Sequence, residues 1–454
     1  MYKGTKWAIL TGLVISMMLS AAWAQEFRIG TARRDITPGE PIRLAGYASR
    51  NKPSEGIAER IFARALAIQD STGAKNLLVT VELVGVTHSF TEGIAARLKS
   101  ELGIERARFM LTVSHTHNGP MLSGNLDEQL DLTSAEKEVI RRHTEKMAAL
   151  IYEASAEALG KLESARLSFG HGKAGFAVNR RIFTPAGVAF GANYDAATDH
   201  DVPILKIETQ DGQVRAIVFG YACHGTTLGG DYNLLGGDWP GYTQKMLELS
   251  YPGSTVLFLP GCAGDADPQP RRKAEYVAEH GLEMAGAVAA ALSRGLTPVR
   301  GPVHAGLEKA ILEQAATPSR EEYEKRLNDK DVFVQKQARK YLDQLIRGEK
   351  FVTSYEDPVQ VWKFGNDLTL VALGGEVVVD YALRLKRELG ADKLWVAAYS
   401  NDVFAYVPSV RILLEGGYEA DYSMLFYDFP TRWSTTIEDT IIKTARQLID
   451  KTSQ

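Results

Sequence analysis

The chain has 454 residues, of which 45% are hydrophobic and 24% charged, and a formal net charge of -4 at pH 7. This balance excludes bulk disorder and coiled coil, and the lack of a basic excess leaves no electrostatic footprint for nucleic acid. Two cysteines, Cys223 and Cys262, are too few for a disulfide-stapled scaffold or a four-thiolate zinc module.

Residues 1–24 read as a secretory signal peptide. Lys3 and Lys6 precede an apolar run over 7–19, and Ala22, Trp23 and Ala24 place small residues two apart before a cleavage site at Gln25. The run is shorter than the roughly 20 residues of a bilayer span. The expectation is a mature domain over 25–454 that is secreted or periplasmic and has no transmembrane segment. In an oxidising compartment the two cysteines read equally well as a disulfide or as two buried thiols.

Along the mature chain, apolar runs at 63–68, 76–86, 109–113, 214–221, 255–259, 368–373 and 394–399 alternate with helical periodicity over 91–102, 134–158, 242–249, 274–291 and 377–389. The alternation predicts an α/β fold, a mixed or parallel sheet flanked by helices. The stretch 319–350 is dense in charge, with Tyr323, Leu327, Val332, Val334, Tyr341 and Leu345 at loose helical spacing. It reads as helices on the surface without a catalytic role.

Reactive side chains gather just after the apolar runs. In an α/β sheet, ligands bind beyond the carboxyl ends of the strands, where loops converge. Run 109–113 leads to His115 and His117, run 214–221 to His224, run 368–373 to Glu376 and run 394–399 to Tyr406. If strand geometry persists, His115 and His117 share a face, although such a pair alone is more often two unrelated histidines. His88, His143, His171, His200, His280 and His304 lack this setting and read as surface or satisfied core residues. Imidazoles with a carboxylate and one open position are the arrangement of catalytic zinc. Zinc brings the pKa of a bound water toward about 7 and polarises a carbonyl, as ester or amide hydrolysis requires. Taken by position, Glu376 reads equally well as a first-turn acid of the helix expected near Val377. Arg180, next to Arg181, reads as a surface residue. The glycine-rich run over 259–268 exposes amides able to bind an oxyanion, but it lacks the Lys and Ser/Thr of a P-loop. No Gly-x-Ser-x-Gly elbow occurs.

Together these residues resemble the catalytic domain of the neutral/alkaline, non-lysosomal ceramidases, zinc amidohydrolases that cleave the N-acyl bond of ceramide. The resemblance is carried by Phe27-Arg28-Ile29-Gly30, Asp35-Ile36-Thr37-Pro38, Gly46-Tyr47-Ala48 and the stretch holding Gly56, Arg60, Arg64 and Ala65. It continues through Ser114-His115-Thr116-His117-Asn118-Gly119-Pro120, Asn179-Arg180, His224, Gly264-Asp265, Gly375-Glu376, Tyr406 and Gly417-Tyr418-Glu419, and covers most of residues 26–425. It implies zinc held by His115, His224, Glu376 and Tyr406. His117 becomes the acid/base and substrate contact rather than a ligand, and Arg180 and Tyr418 hydrogen-bond the scissile amide or its oxyanion.

Two departures stand out. Asp267 occupies a position where family members typically carry a serine, and its carboxylate implies a cationic or polar substrate or a structural cap. The chain also ends soon after the catalytic domain, where longer ceramidases add a C-terminal β-sandwich. The resulting expectation is a secreted zinc amidohydrolase acting on ceramide, a related N-acyl lipid or another small amide. The alternatives are a zinc esterase or amidase on a non-sphingolipid substrate, and a non-catalytic secreted binding protein on the same scaffold.

Overall fold

Every expected run forms a strand and every expected periodic stretch a helix in the computed structural model, which describes residues 27–126 and 130–453. The expected signal segment over 1–24 lies outside the described residues. Runs 109–113, 214–221 and 368–373 become the strands Phe109–Val113, Val214–Tyr221 and Leu368–Leu373. Run 76–86 is a strand only over Lys75–Val81, because the chain then bends off the sheet and sets the Val84 carbonyl beside His115. The strands Glu163–Lys173, Asp201–Thr209, Val303–Glu313 and Ser354–Phe364 and the helix Ile437–Lys451 have no expected counterpart. Glu163–Lys173 shows why: its buried residues alternate with half-buried polar ones, so no continuous apolar run marks it.

Among the described residues the strands form two mixed sheets, with a smaller three-stranded antiparallel sheet and a two-stranded parallel ladder beside them. In the nine-stranded sheet, Phe27–Asp35 pairs antiparallel with Phe62–Gln69 and with Glu163–Lys173. A parallel pair closes each end of the order: Val214–Tyr221 with Thr255–Pro260, and Lys75–Val81 with Phe109–Val113. The four-stranded sheet runs Val303–Glu313, Ser354–Phe364, Leu368–Leu373, Leu394–Ala397, its last pair parallel.

Side-chain alternation along the strands sets the layers. Leu66 and Ile68 join Met110, Trp362, Leu370 and Trp395 in a core between the two sheets. Their neighbours Ala63, Ala65 and Ala67 face Met147, Ile151, Ala154 and Ala158 of the helix Ser134–Gly160 on the outer side. Asp238–Ser250 and Glu275–Arg294 cover the rest of that outer face through Trp239, Leu247, Met284 and Val288, and Ile437–Lys451 covers the four-stranded sheet. Cys223 and Cys262 are free buried thiols in separate cores, which resolves the open choice against a disulfide. Among the described residues no helix is long and apolar enough to cross a membrane.

The nine-stranded sheet curls until Thr255–Pro260, at one end of the hydrogen-bonding order, lies against Phe109–Val113 at the other. The residues after Leu394–Ala397 close the seam. The Ala398 N–H donates to the Pro260 carbonyl at 2.9 Å, the Val113 N–H to Tyr399 at 3.3 Å, and the Asn401 N–H to Leu111 at 2.6 Å. Tyr399 and Asn401 reach these positions with φ of 53° and 66°, a left-handed conformation costing roughly 1–2 kcal/mol per residue.

The large sheet approaches Ser134–Gly160 closely at Gly30, where a Cβ would stand 2.0 Å from the Ala158 carbonyl oxygen. Gly30→Ala is expected to cost about 1–3 kcal/mol by overpacking. An unchanged urea midpoint would contradict this helix-on-sheet contact.

Candidate metal centre

Beyond Val113 the strand geometry does not persist, since His115 turns to φ 57°. What aligns the histidines is a seam between two loops: Thr116 bridges Gly225 in parallel, and the His117 N–H donates to the Gly225 carbonyl at 3.0 Å. Gly225 allows that approach, because a Cβ there would stand 2.8 Å from the His115 carbonyl oxygen. The rings of His115 and His224 consequently lie 4.6 Å apart, centroid to centroid.

Backbone carbonyls set the ring tautomers. His115 Nδ1 lies 2.6 Å from the Val84 oxygen, and His224 Nδ1 lies 2.7 Å from the Ala263 oxygen. A carbonyl only accepts, so each Nδ1 carries the proton and each Nε2 is left as a lone pair. Both Nε2 atoms stand 3.1 Å from the same Glu376 Oε2, so three acceptors converge and none of the three carries a proton for another. Burial, together with the Arg180 charge, lowers the His224 pKa, which opposes relief by protonating that ring. A divalent cation is the group that satisfies such a donor set.

Glu376 does not serve the following helix. It belongs to the short strand Glu376–Val377, which pairs in parallel with Tyr406–Val407 and sets Glu376 opposite Tyr406. The helix Val379–Leu389 takes its first-turn acceptor from Asp265, whose Oδ1 accepts from the Val379 N–H at 2.9 Å. The Tyr406 hydroxyl stands 3.2 Å from His224 Nε2. The amides of Gly261, Gly264 and Ala266 donate to the carbonyls of Tyr221, Val377 and Ala263. The glycine-rich run is therefore a scaffold for Asp265 and Asp267, and these amides are not free for an oxyanion.

The remaining expected residues surround this centre. His117 Nε2 lies 3.1 Å from His115 Nε2, and its Nδ1 is buried with no hydrogen-bond partner among the described residues. His115, His117 and His224 form a buried group able to hold a metal ion, their ligand nitrogens all within 4.8 Å of one another. Gly46, at φ 92°, packs so closely that a Cβ would stand 2.4 Å from His117 Nδ1. Arg180 and Arg181 are both buried rather than on the surface, and they share Glu419 at 2.9 and 2.5 Å. Arg180 Nη1 also donates to His224 Nε2 at 3.2 Å. Tyr418 packs edge-on to Tyr406 at 5.3 Å. Six of the seven expected residues thus line one pocket of about 400 Å³, and the seventh, His224, is fully buried with its Nε2 3.1 Å from Glu376 Oε2.

Sequence reasoning missed Tyr427, whose hydroxyl donates to the second Glu376 oxygen, and Tyr399, whose ring lies 4.4 Å from that of His115. Neither has a local signal, since both depend on distant strands. It also gave 319–350 no part in the site. The helices Arg320–Arg326 and Val332–Ile346 brace the stretch that forms one pocket wall: Gln337 Nε2 donates to the Phe429 carbonyl at 2.7 Å and the Tyr341 hydroxyl to the Asp428 carbonyl at 2.6 Å. Phe333 packs on Phe426 at 4.9 Å, and Phe426 lines the pocket.

Behind Glu376, the Asp402 carbonyl accepts from the Gly375 N–H at 2.8 Å, and its side chain is buried with Asp357. Burial pushes Asp402 up to about 7, and burial with the neighbouring Asp402 charge holds Asp357 well above its usual range. A carboxyl raised above its unfolded value keeps a proton in the folded state that the unfolded chain releases. Its contribution is therefore fully present at low pH and is lost as pH rises through about 7. Asp402→Asn is expected to gain stability on wild type by roughly 3 kcal/mol between pH 4 and 7, as read by urea unfolding. A wild-type-minus-variant difference independent of pH would refute this.

The family model described as neutral/alkaline non-lysosomal ceramidase, N-terminal, matches residues 27–292. The neutral ceramidase of Drosophila melanogaster is 24% identical over 280 residues, 58% of this chain and 39% of that protein. The neutral ceramidase of Pseudomonas aeruginosa is 25% identical over 273 residues, 58% of this chain and 40% of that protein. The matches thus span about two fifths of these relatives' length. The crystal structure of the Pseudomonas aeruginosa enzyme superposes with a TM-score of 0.70 at 18% identity, over 95% of this chain and 74% of that one. A ceramidase complexed with C2 gives 0.71. The sequence match contains His115, His117, Arg180 and His224, and the shared fold extends past Glu376, Tyr406 and Tyr418. The chain belongs to the neutral/alkaline non-lysosomal ceramidase family, through the N-terminal domain of that family.

Proposed function

We propose that this chain is an exported zinc amidohydrolase that cleaves the N-acyl amide bond of ceramide or a related N-acyl lipid. Its leader occupies 1–24 and its catalytic unit 25–454. The observation that carries the reading is the convergence of His115 Nε2, His224 Nε2 and Glu376 Oε2 at 3.1 Å, in a chain of this family. His115, His224, Glu376 and Tyr406 would hold the ion. Zinc bound there supplies Lewis acidity to the attacking water and to the amide carbonyl.

The protein's own groups do the rest. Burial, with His115 and His224 beside it, pushes the His117 pKa well down. The ring is therefore neutral and free to take a proton from water and return it to the departing amine. Arg180 stays charged: burial works against this, but Tyr406 and Glu419 outweigh it. Held by Glu419, Arg180 is poised with Tyr418 to stabilise negative charge developing on the amide oxygen. Leu44, Val84, Met121, Leu126 and Leu130 line the same pocket and would take the acyl chain. A non-catalytic binding protein would have no need for so many acceptors gathered among buried side chains.

The purified chain is expected to carry one equivalent of zinc by elemental analysis and to release fatty acid from N-acyl sphingosine. His224→Ala is expected to lose the metal and at least about 100-fold in kcat/KM, since even outer-shell changes cost 10–100-fold. Full activity in chelator-treated, metal-free protein would sink the mechanism. Turnover of esters without turnover of amides would replace it with a zinc esterase.

A further inference from the structure

The pocket has two chemically different linings. Leu44, Val84, Met121, Leu126 and Leu130 form an apolar side, reached from His115 through the Val84 carbonyl. The other side carries Thr226, Asp267, Arg271 and Arg272, reached from His117 through Tyr47, whose ring lies 4.9 Å away.

From sequence, Asp267 implies a site for cationic or polar groups. In the fold its carboxylate is fully engaged: Oδ1 accepts from Thr226 Oγ1 at 3.0 Å and from Arg180 Nη1 at 3.5 Å, and Oδ2 accepts from Arg271 Nη1. Arg271 also donates to the Tyr47 hydroxyl at 3.3 Å. Asp267 is thus a buried anchor for two arginines.

Arg272 stands outside this network. It is exposed, lines the pocket, and has no ion pair with any carboxylate among the described residues. Its backbone holds φ 73° and is pinned by its N–H donating to the Thr227 carbonyl at 2.5 Å. A left-handed non-glycine residue persists only where its surroundings hold it, and such residues cluster at ligand clamps. The polar side therefore presents one uncommitted guanidinium, a group suited to bidentate binding of carboxylate or phosphate.

Resting on the amide-hydrolase reading, we propose that Arg272 determines specificity by binding an anionic group, carboxylate or phosphate, on the amine half of the N-acyl substrate while the acyl chain lies on the apolar side. Three substrates with one acyl chain test this on the full protein: N-lauroylglycine, N-lauroyl phosphoethanolamine and the neutral N-lauroylethanolamine. At least one of the two anionic substrates is expected to exceed the neutral one about tenfold in kcat/KM at low ionic strength. That advantage should shrink with salt, and the preferred anion identifies the group. Arg272→Glu is expected to reduce the anionic-to-neutral ratio about tenfold, with Arg272→Lys retaining part of it. A ratio unchanged in Arg272→Glu overturns the proposal. Hydrolysis of none of the three would count against the amide reading instead. Calorimetric binding of N-lauroylglycine and N-lauroylethanolamine then decides the role of Arg272: an anion preference abolished by Arg272→Glu supports it, and equal binding overturns it.

Discussion

The candidate site exists because the nine-stranded sheet curls until its two ends meet. His115 follows the last strand of the hydrogen-bonding order and His224 follows the next to first. In a flat sheet the two would be separated by about 4.8 Å for each intervening strand, far beyond the reach of one ion. Curling alone would leave two unpaired edges, and the segment after Leu394–Ala397 fills the seam, bonding to Pro260 on one side and to Leu111 and Val113 on the other. Left-handed backbone at His115, Tyr399 and Asn401 is the local cost of this closure. All three lie within a few residues of the centre, where strain of this kind is characteristically concentrated.

The carbonyls of Val84 and Ala263 give the centre its chemical identity. By accepting from Nδ1 they oblige both imidazoles to present lone pairs inward, and Glu376 adds a third acceptor. A second ring of contacts holds these groups in place. Asp265 relieves Glu376 of any capping duty, Tyr427 holds the outer oxygen of Glu376, and Glu419 gathers the buried arginines Arg180 and Arg181. Water exclusion strengthens each of these contacts and makes an unpaired group there costly. The same argument turns Asp267 from a lone negative charge into the clasp between Arg180 and Arg271, and leaves Arg272 of the pocket lining without an ion-pair partner among the described residues.

Much of this was legible from residue pattern because hydrophobic period reports burial directly. Strands buried on both faces, such as Phe109–Val113 and Val214–Tyr221, read as continuous apolar runs and were placed with their bounds. Strands buried on one face, such as Glu163–Lys173, did not. His115, His117, His224 and Glu376 stood out because they follow such runs. Tyr399 and Tyr427 did not, because an aromatic residue acquires meaning only from what lies across from it. Position along the chain misread Glu376 as a candidate helix acid and Arg180 as a surface residue, since neither burial nor a partner such as Glu419 is visible locally.

By itself, the sequence determined the α/β class, the strand ends that bear the reactive side chains, and the family resemblance, because these depend on local period and on residue types in order. Only the tertiary structure decided that one curled sheet and a second sheet bring those strand ends together, that the cysteines stay apart, and that the charge of Asp267 is already satisfied. Those outcomes depend on which distant groups meet in a water-poor interior, and that is set by the packing of the whole chain rather than by any stretch of it.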